Sequence, residues 1–190
     1  MKIHREIERR FILSKLPNFT KYNLTTIEIE IKQNYLITTN GTLRLRKVTH
    51  PGNNFQEHWL CTKSKKTRMG VKEVEHKTDP NTYEMIYPLC KHNEIIKTRM
   101  TLLGKETWEF DIFKKMLNGL IVAELEFHSV PESKSYKLPE FINEVLVEEI
   151  TGYESCSNRN LSTCTTLEEL PDVITNRLGK NNRRTRSNNE

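Results

Sequence analysis

The 190-residue chain lacks any apolar run long enough to cross a membrane, and Met1 to Arg10 has none of the apolar core that a secretory signal carries. Both absences lead us to expect a cytoplasmic protein with no membrane partner. Cysteine is scarce: Cys61, Cys90, Cys156 and Cys164 fall at no metal-ligand or redox-motif spacing, so reduced thiols are expected rather than a disulfide framework. The six histidines form no zinc pattern, and His50 and His58 simply border a loop. Neither an internal repeat nor a second domain can be found. What remains is a polar chain, 35% hydrophobic and 29% charged, long enough to bury one core.

Its net charge of +5 and pI near 9.0 would suit a nucleic-acid partner, but the charge is unevenly placed. Arg177, Lys180, Arg183, Arg184 and Arg186 crowd a stretch rich in Asn, Ser and Gly. Residues 171–190 therefore read as a disordered, solubilising tail behind a single domain over 1–170. Without that tail the domain is close to neutral, so any RNA contact is expected through the tail alone. The expected assembly is a monomer or homodimer.

The informative features are charged pairs spaced two apart. In Glu6-Ile7-Glu8-Arg9-Arg10, a period of two puts Glu6, Glu8 and Arg10 on one strand face and Ile7, Arg9 and Phe11 on the other. Two such carboxylates stand roughly 6 to 7 Å apart, close enough to serve one divalent ion or two neighbouring ones. The construction recurs at Arg44/Arg46, Glu73/Glu75, Lys97/Arg99, Glu109/Asp111 and Glu124/Glu126. A single pair is what the solvated face of an ordinary antiparallel sheet shows. A whole series is different, because like charges facing each other repel and ordinary surfaces intersperse the signs. Acidic and basic strands in alternation are what a closed polar interior needs: carboxylate oxygens for metal, cations for a polyanion.

Between the pairs lie the expected elements. Strand-like alternation runs over 26–36, 59–63 and 71–77, and a three-strand meander over 95–103, 107–113 and 120–128. Asn40-Gly41 marks a hairpin through residues that tolerate positive φ. Asp79-Pro80 opens a short helix limited by Pro88, and 139–150 reads as an amphipathic helix covering the apolar face that Trp108, Phe110 and Ile112 present. Residues 166–170 and 173–178 are further helix candidates.

Glu6-Ile7-Glu8-Arg9-Arg10-Phe11 resembles the ExExK signature of the CYTH superfamily, the triphosphate tunnel metalloenzymes. The resemblance continues colinearly through Gln33-Asn34-Tyr35-Leu36, Thr42 to Arg46, Leu60 to Lys63, Glu73 to Glu75, Ile96 to Arg99, Thr107 to Phe113, Gly119 to Glu126, Glu149 to Gly152 and Asn158 to Leu161. It implies an α+β fold: a closed antiparallel β-barrel with a polar interior, flanked by helices. It also implies hydrolysis of a triphosphate, closest to the bacterial tripolyphosphatase branch. Cyclase chemistry on ATP and non-catalytic triphosphate binding are the alternatives.

The metal ligands so implied, for Mg²⁺ or Mn²⁺, are Glu6, Glu8, Glu124 and Glu126, with Asp111 a further one. Arg10, Arg44, Arg46, Lys63, Lys97 and Arg99 would hold phosphate, and Glu73, Glu75 and Glu109 would complete the lining. Arg10, Tyr35 and Lys97 are the implied catalytic residues, Tyr35 matching a tyrosine that partners the motif lysine near the attacking water. Two departures stand out. Arg10 replaces that lysine, and arginine stays protonated, so it cannot act as a general base. The basic loop Lys65 to Arg68 also differs from the family's segment in length and composition.

Overall fold

Alternating apolar and charged side chains favour extended chain, because each strand can then present one face to a core and the other to a polar space. In the computed structural model, which describes residues 7–64 and 73–178, nine such strands form. They are β1 (Glu8–Leu13), β2 (Thr25–Ile37), β3 (Gly41–His50), β4 (Phe55–Ser64), β5 (Glu73–Thr78), β6 (Ile95–Leu103), β7 (Trp108–Phe113), β8 (Ile121–Glu126) and β9 (Leu146–Glu149). All belong to one antiparallel sheet in the order β5-β4-β3-β2-β6-β7-β8-β1-β9. Short helices accompany it, among them α1 (Pro80–Ile86), α2 (Val130–Ser135), α3 (Glu140–Asn143) and α4 (Asn158–Thr163). The α+β class and the antiparallel sheet are as expected.

Closure of the barrel is not completed by hydrogen bonds, since β5 and β9 are the two ends of the ladder. Both edges carry exposed charge, Glu75 and Lys77 on one and Glu148 and Glu149 on the other, which opposes further strand pairing.

The register sorts the side chains. Tyr35 stands opposite Arg44, Arg44 opposite Cys61 and Cys61 opposite Glu75. Across the other half, Arg99 faces Asp111, Glu109 faces Glu124, Glu124 faces Arg10 and Glu8 faces Glu126. Directly opposed residues share a face, so one concave surface collects Arg44/Arg46, Glu73/Glu75, Lys97/Arg99, Glu109/Asp111 and Glu124/Glu126.

The reverse face is apolar. Phe11, Leu13, Trp108, Phe110 and Leu125 are buried there against Ile142 and Val145, with Phe141 edge-on to Trp108 at 6.1 Å. A helix over 139–150 was the expected cover, but only Glu140–Asn143 is helical. The chain then extends as β9 and pairs with β1 at Phe11–Glu149, Ile12–Glu148 and Leu13–Leu146. The free backbone groups of β1 need partners, and Ile142 and Val145 stay buried either way, so pairing prevails over helix.

Elsewhere α1 forms as expected, with the Asp79 side chain accepting from the Thr82 amide at 3.0 Å and Pro88 falling in the 3₁₀ turn Tyr87–Leu89. Asn40-Gly41 does connect β2 to β3, yet neither residue has positive φ. Glycine is required at Gly41 for another reason: a Cβ there would collide with the Lys63 carbonyl oxygen on β4.

One end of the concave face is apolar and covered. Ile12, Tyr35, Phe113 and Val122 are packed there against Leu161 of α4 and against Leu170, Ile174 and Leu178. Residues 172–178 are helical, so Ile174 and Leu178, four apart, share one side, and Leu170 just before the helix joins them in the core. Each buried aliphatic contributes about 1.5 to 3 kcal/mol, so this segment belongs to the core. The packed core thus reaches Leu178, beyond the boundary expected at 170. Arg177, counted with the tail, donates to the Leu13 carbonyl at 3.2 Å and to that of Ser14. The remaining basic residues of the tail lie outside the described residues.

Candidate active site

On β3, β4 and β5 the concave face is a wall of cations braced by acids. Arg44 Nη2 lies 2.9 Å from Glu75 Oε1 and 3.9 Å from Glu73, and Lys63 Nζ lies 2.9 Å from Glu73 Oε2. Arg46 Nε donates to Gln33 Oε1 at 3.2 Å, with Glu75 further off at 3.7 Å. Burial pushes Arg46 below its ordinary pKa, and the neighbouring Arg44 adds to this. The Cys61 thiol, pushed up to about 12 chiefly by burial, donates to Glu73 at 2.8 Å and is unreactive there.

In the middle stands Asp111, with no exposed surface. It accepts from Arg99 Nε and Nη2, both at 2.7 Å, and from Lys97. Burial alone would raise its pKa, but the charges and hydrogen bonds of Lys97 and Arg99 hold it well below the carboxylate range. Lys97, equally buried, is pushed down to about 8 by desolvation and by Arg99, against the pull of Asp111 and Glu124. Arg99 also reaches Glu109, and Glu124 at 2.9 Å, so one guanidinium spans three carboxylates.

On β1, β7 and β8 the face turns acidic. Glu8, Glu109, Glu124 and Glu126, with Thr107, line a cavity of about 90 Å³. Burial raises the Glu109 pKa, against the charge of Arg99. These are oxygen donors only, which suits a hard divalent cation. Among the described residues, though, no three acidic, histidine or cysteine side chains stand close enough to hold one ion in this conformation. Arginines occupy the carboxylates instead: Arg10 Nε is 2.9 Å from Glu124 and 3.9 Å from Glu8, while Arg99 holds Glu109 and Glu124. A larger cavity of about 380 Å³, lined in part by Glu94, Lys115, Met116 and Leu161, contains none of these charged pairs.

No family model matches the chain. Over 146 residues it is 26% identical to the inorganic triphosphatase of Nitrosomonas europaea, an alignment covering 76% of this chain and 90% of that one. The crystal structure of the inorganic triphosphatase NE1496 superposes with a TM-score of 0.59 at 25% identity, covering 87% of this chain and 99% of that one. In sequence and in fold the chain is thus similar to inorganic triphosphatases. The same fold, at 16% identity and a TM-score of 0.57, occurs in a putative adenylyl cyclase from Hippeastrum with dominant triphosphatase activity; it covers 89% of this chain and 99% of that one.

Within this tunnel-type face, the residues expected from sequence fall as follows. Arg10, Arg44, Arg46, Lys63, Lys97, Arg99, Glu73, Glu75, Glu8, Glu109, Glu124 and Glu126 share it, and Glu6 lies outside the described residues. Asp111 is on the same face but is enclosed by Lys97 and Arg99 and does not line the acidic cavity. Glu109, expected only as lining, does. Tyr35 is buried beside the cations, its pKa raised by burial, with Arg44 and Arg46 pulling the other way. Its hydroxyl accepts from Gln33 at 3.5 Å, whereas Arg10 donates to Glu124 and to the Cys156 carbonyl at 3.3 Å. The expected partnership between Tyr35 and the residue at position 10 is therefore not made. Sequence reasoning overlooked Gln33, although the period of two already placed it on the face of Tyr35.

Proposed function

We propose that the protein is a metal-dependent triphosphatase that hydrolyses a phosphoanhydride bond of inorganic tripolyphosphate, or of a nucleoside or other organic triphosphate, in the cytoplasm. The observation that carries this reading is the register, by which four strands deliver cations and three deliver the acids of one cavity onto a single concave face, with an apolar plug at one end. We read that face as the lining of a barrel whose seam is formed by β5 and β9. In this reading Arg44, Arg46 and Lys63 hold phosphate oxygens through charge-assisted hydrogen bonds. Lys97 and Arg99, fixed by Asp111, stabilise negative charge at the centre.

Glu8, Glu109, Glu124 and Glu126, with Glu6, are the proposed seat of Mg²⁺ or Mn²⁺. When bound, such an ion neutralises charge on the phosphates and lowers the pKa of a coordinated water. Arg10 orients Glu124 and stays charged. Lys97 can change its charge near neutral pH, which Arg10 cannot, and is the better candidate to hold or accept a proton. Tyr35, kept as a neutral phenol by burial, can donate a hydrogen bond to a phosphate oxygen.

Incubation of the purified protein with tripolyphosphate or ATP, with Mg²⁺, Mn²⁺ or chelator, tests the reading. Metal-dependent orthophosphate release, stronger from tripolyphosphate, is expected; cyclic AMP with pyrophosphate, or binding without turnover, would overturn it. A second expectation concerns Lys97. A bound polyanion favours its charged form, so binding of tripolyphosphate at pH 8.5 to 9 should include uptake of a proton by the protein. Calorimetry in two buffers of different ionisation enthalpy, with Lys97→Met as the control that removes this uptake, measures it.

A further inference from the structure

Most cations of the concave face have a carboxylate at close range: Glu124 for Arg10, Glu75 for Arg44, Glu73 for Lys63, Asp111 for Lys97 and Arg99. Arg46 differs. Its hydrogen bond goes to the neutral amide of Gln33 at 3.2 Å, and Glu75 is 3.7 Å away. Gln33 has no exposed surface, stands opposite Arg46 in the β2–β3 register, and lies two residues before Tyr35 on the same face. An arginine has no acceptor, so the amide oxygen must be turned to Arg46 and the amide nitrogen to the Tyr35 hydroxyl, which it meets at 3.5 Å. Hydrogen bonds therefore run in one direction, from Arg46 through Gln33 to Tyr35, and leave the Tyr35 proton available for an acceptor.

Building on the triphosphate-binding reading above, we infer that Gln33 is the positioning residue that sets anion affinity, by pinning the Arg46 fork with a neutral acceptor and aligning the Tyr35 hydroxyl beside it. A carboxylate at the same place would hold the fork as firmly but would neutralise it. Stability and affinity should then move in opposite senses, which a purely structural role would not produce.

The test compares wild type, Gln33→Glu and Gln33→Met with tripolyphosphate and metal, measuring KM, kcat and the melting temperature. For Gln33→Glu the expected result is a KM about tenfold higher with kcat within about threefold, because the interaction lost is made equally in ground and transition states. Its melting temperature should be unchanged or higher. For Gln33→Met, which cannot accept from Arg46, KM should rise severalfold. Should Gln33→Glu fail to fold, Gln33→Met alone decides. A folded variant whose KM equals that of wild type overturns the role of Gln33. Absence of tripolyphosphate turnover in the wild type overturns instead the reading on which it rests.

Discussion

Replacing Glu8 and Glu126 together by glutamine should lower metal-dependent turnover of tripolyphosphate by on the order of 10² to 10³-fold, because glutamine keeps the shape but removes two anionic oxygens from the acidic cavity. The two residues face each other across β1 and β8, Glu126 exposed and Glu8 partly so. Neither is central to the buried charge network, so the melting temperature should shift by no more than a few degrees. Glu124 would be a poorer choice for this test, since it also holds Arg10 and Arg99 and its loss would confound binding with folding. Measuring turnover against Mn²⁺ concentration and, separately, Mn²⁺ binding by electron paramagnetic resonance would locate the defect. Unchanged turnover in a folded double variant would remove these carboxylates from the metal site.

The largest effect on stability should come from Asp111→Ala. Asp111 is completely buried between Lys97 and Arg99, and removing it leaves two cations in the interior with too little compensation. Breaking a buried pair in this way costs about 3 to 5 kcal/mol, which for a chain of this size lowers the melting temperature by roughly 6 to 20 °C. Combining Asp111→Asn with Lys97→Met should recover a large part of the loss, because Arg99 still has Glu109 and Glu124. Scanning calorimetry of the three proteins checks both statements; an Asp111→Ala variant as stable as wild type would refute them.

The pH dependence follows with a definite sign. The native-state pKa of Asp111 is depressed below its unfolded value, so its contribution is fully present above about pH 4 and is lost as pH falls further. Asp111→Asn should show a shallower acid limb. Lys97 acts at the other extreme: its native pKa of about 8 lies below the unfolded one, so the unfolded chain binds more protons between about pH 8 and 10.4, and stability rises with pH across that window.

The strands were legible because their signal is local. Alternation about Glu8, Arg44, Glu75, Arg99 and Glu124 needs only neighbours one and two positions away, and the face each occupies follows from a period of two. Residues 139–150 misled because Phe141, Ile142, Val145 and Leu146 satisfy a helical spacing, while what decided the outcome was the unpaired edge of β1, about 130 residues away in the chain. The tail misled for a related reason. The sequence offers a helix over 173–178, but nothing local marks Leu170, Ile174 and Leu178 as core beside so much basic sequence; they become core only because the apolar end of the concave face is there to receive them.

The charged pairs and their faces were determined by the sequence alone, since they depend on strand geometry that any chain shares. Which charges meet was decided only by the tertiary structure. Strand order brings Glu124 within reach of both Arg10 and Arg99, encloses Asp111 away from the acidic cavity and sets Gln33 beside Arg46, because hydrogen-bonded register aligns residues that no local pattern connects.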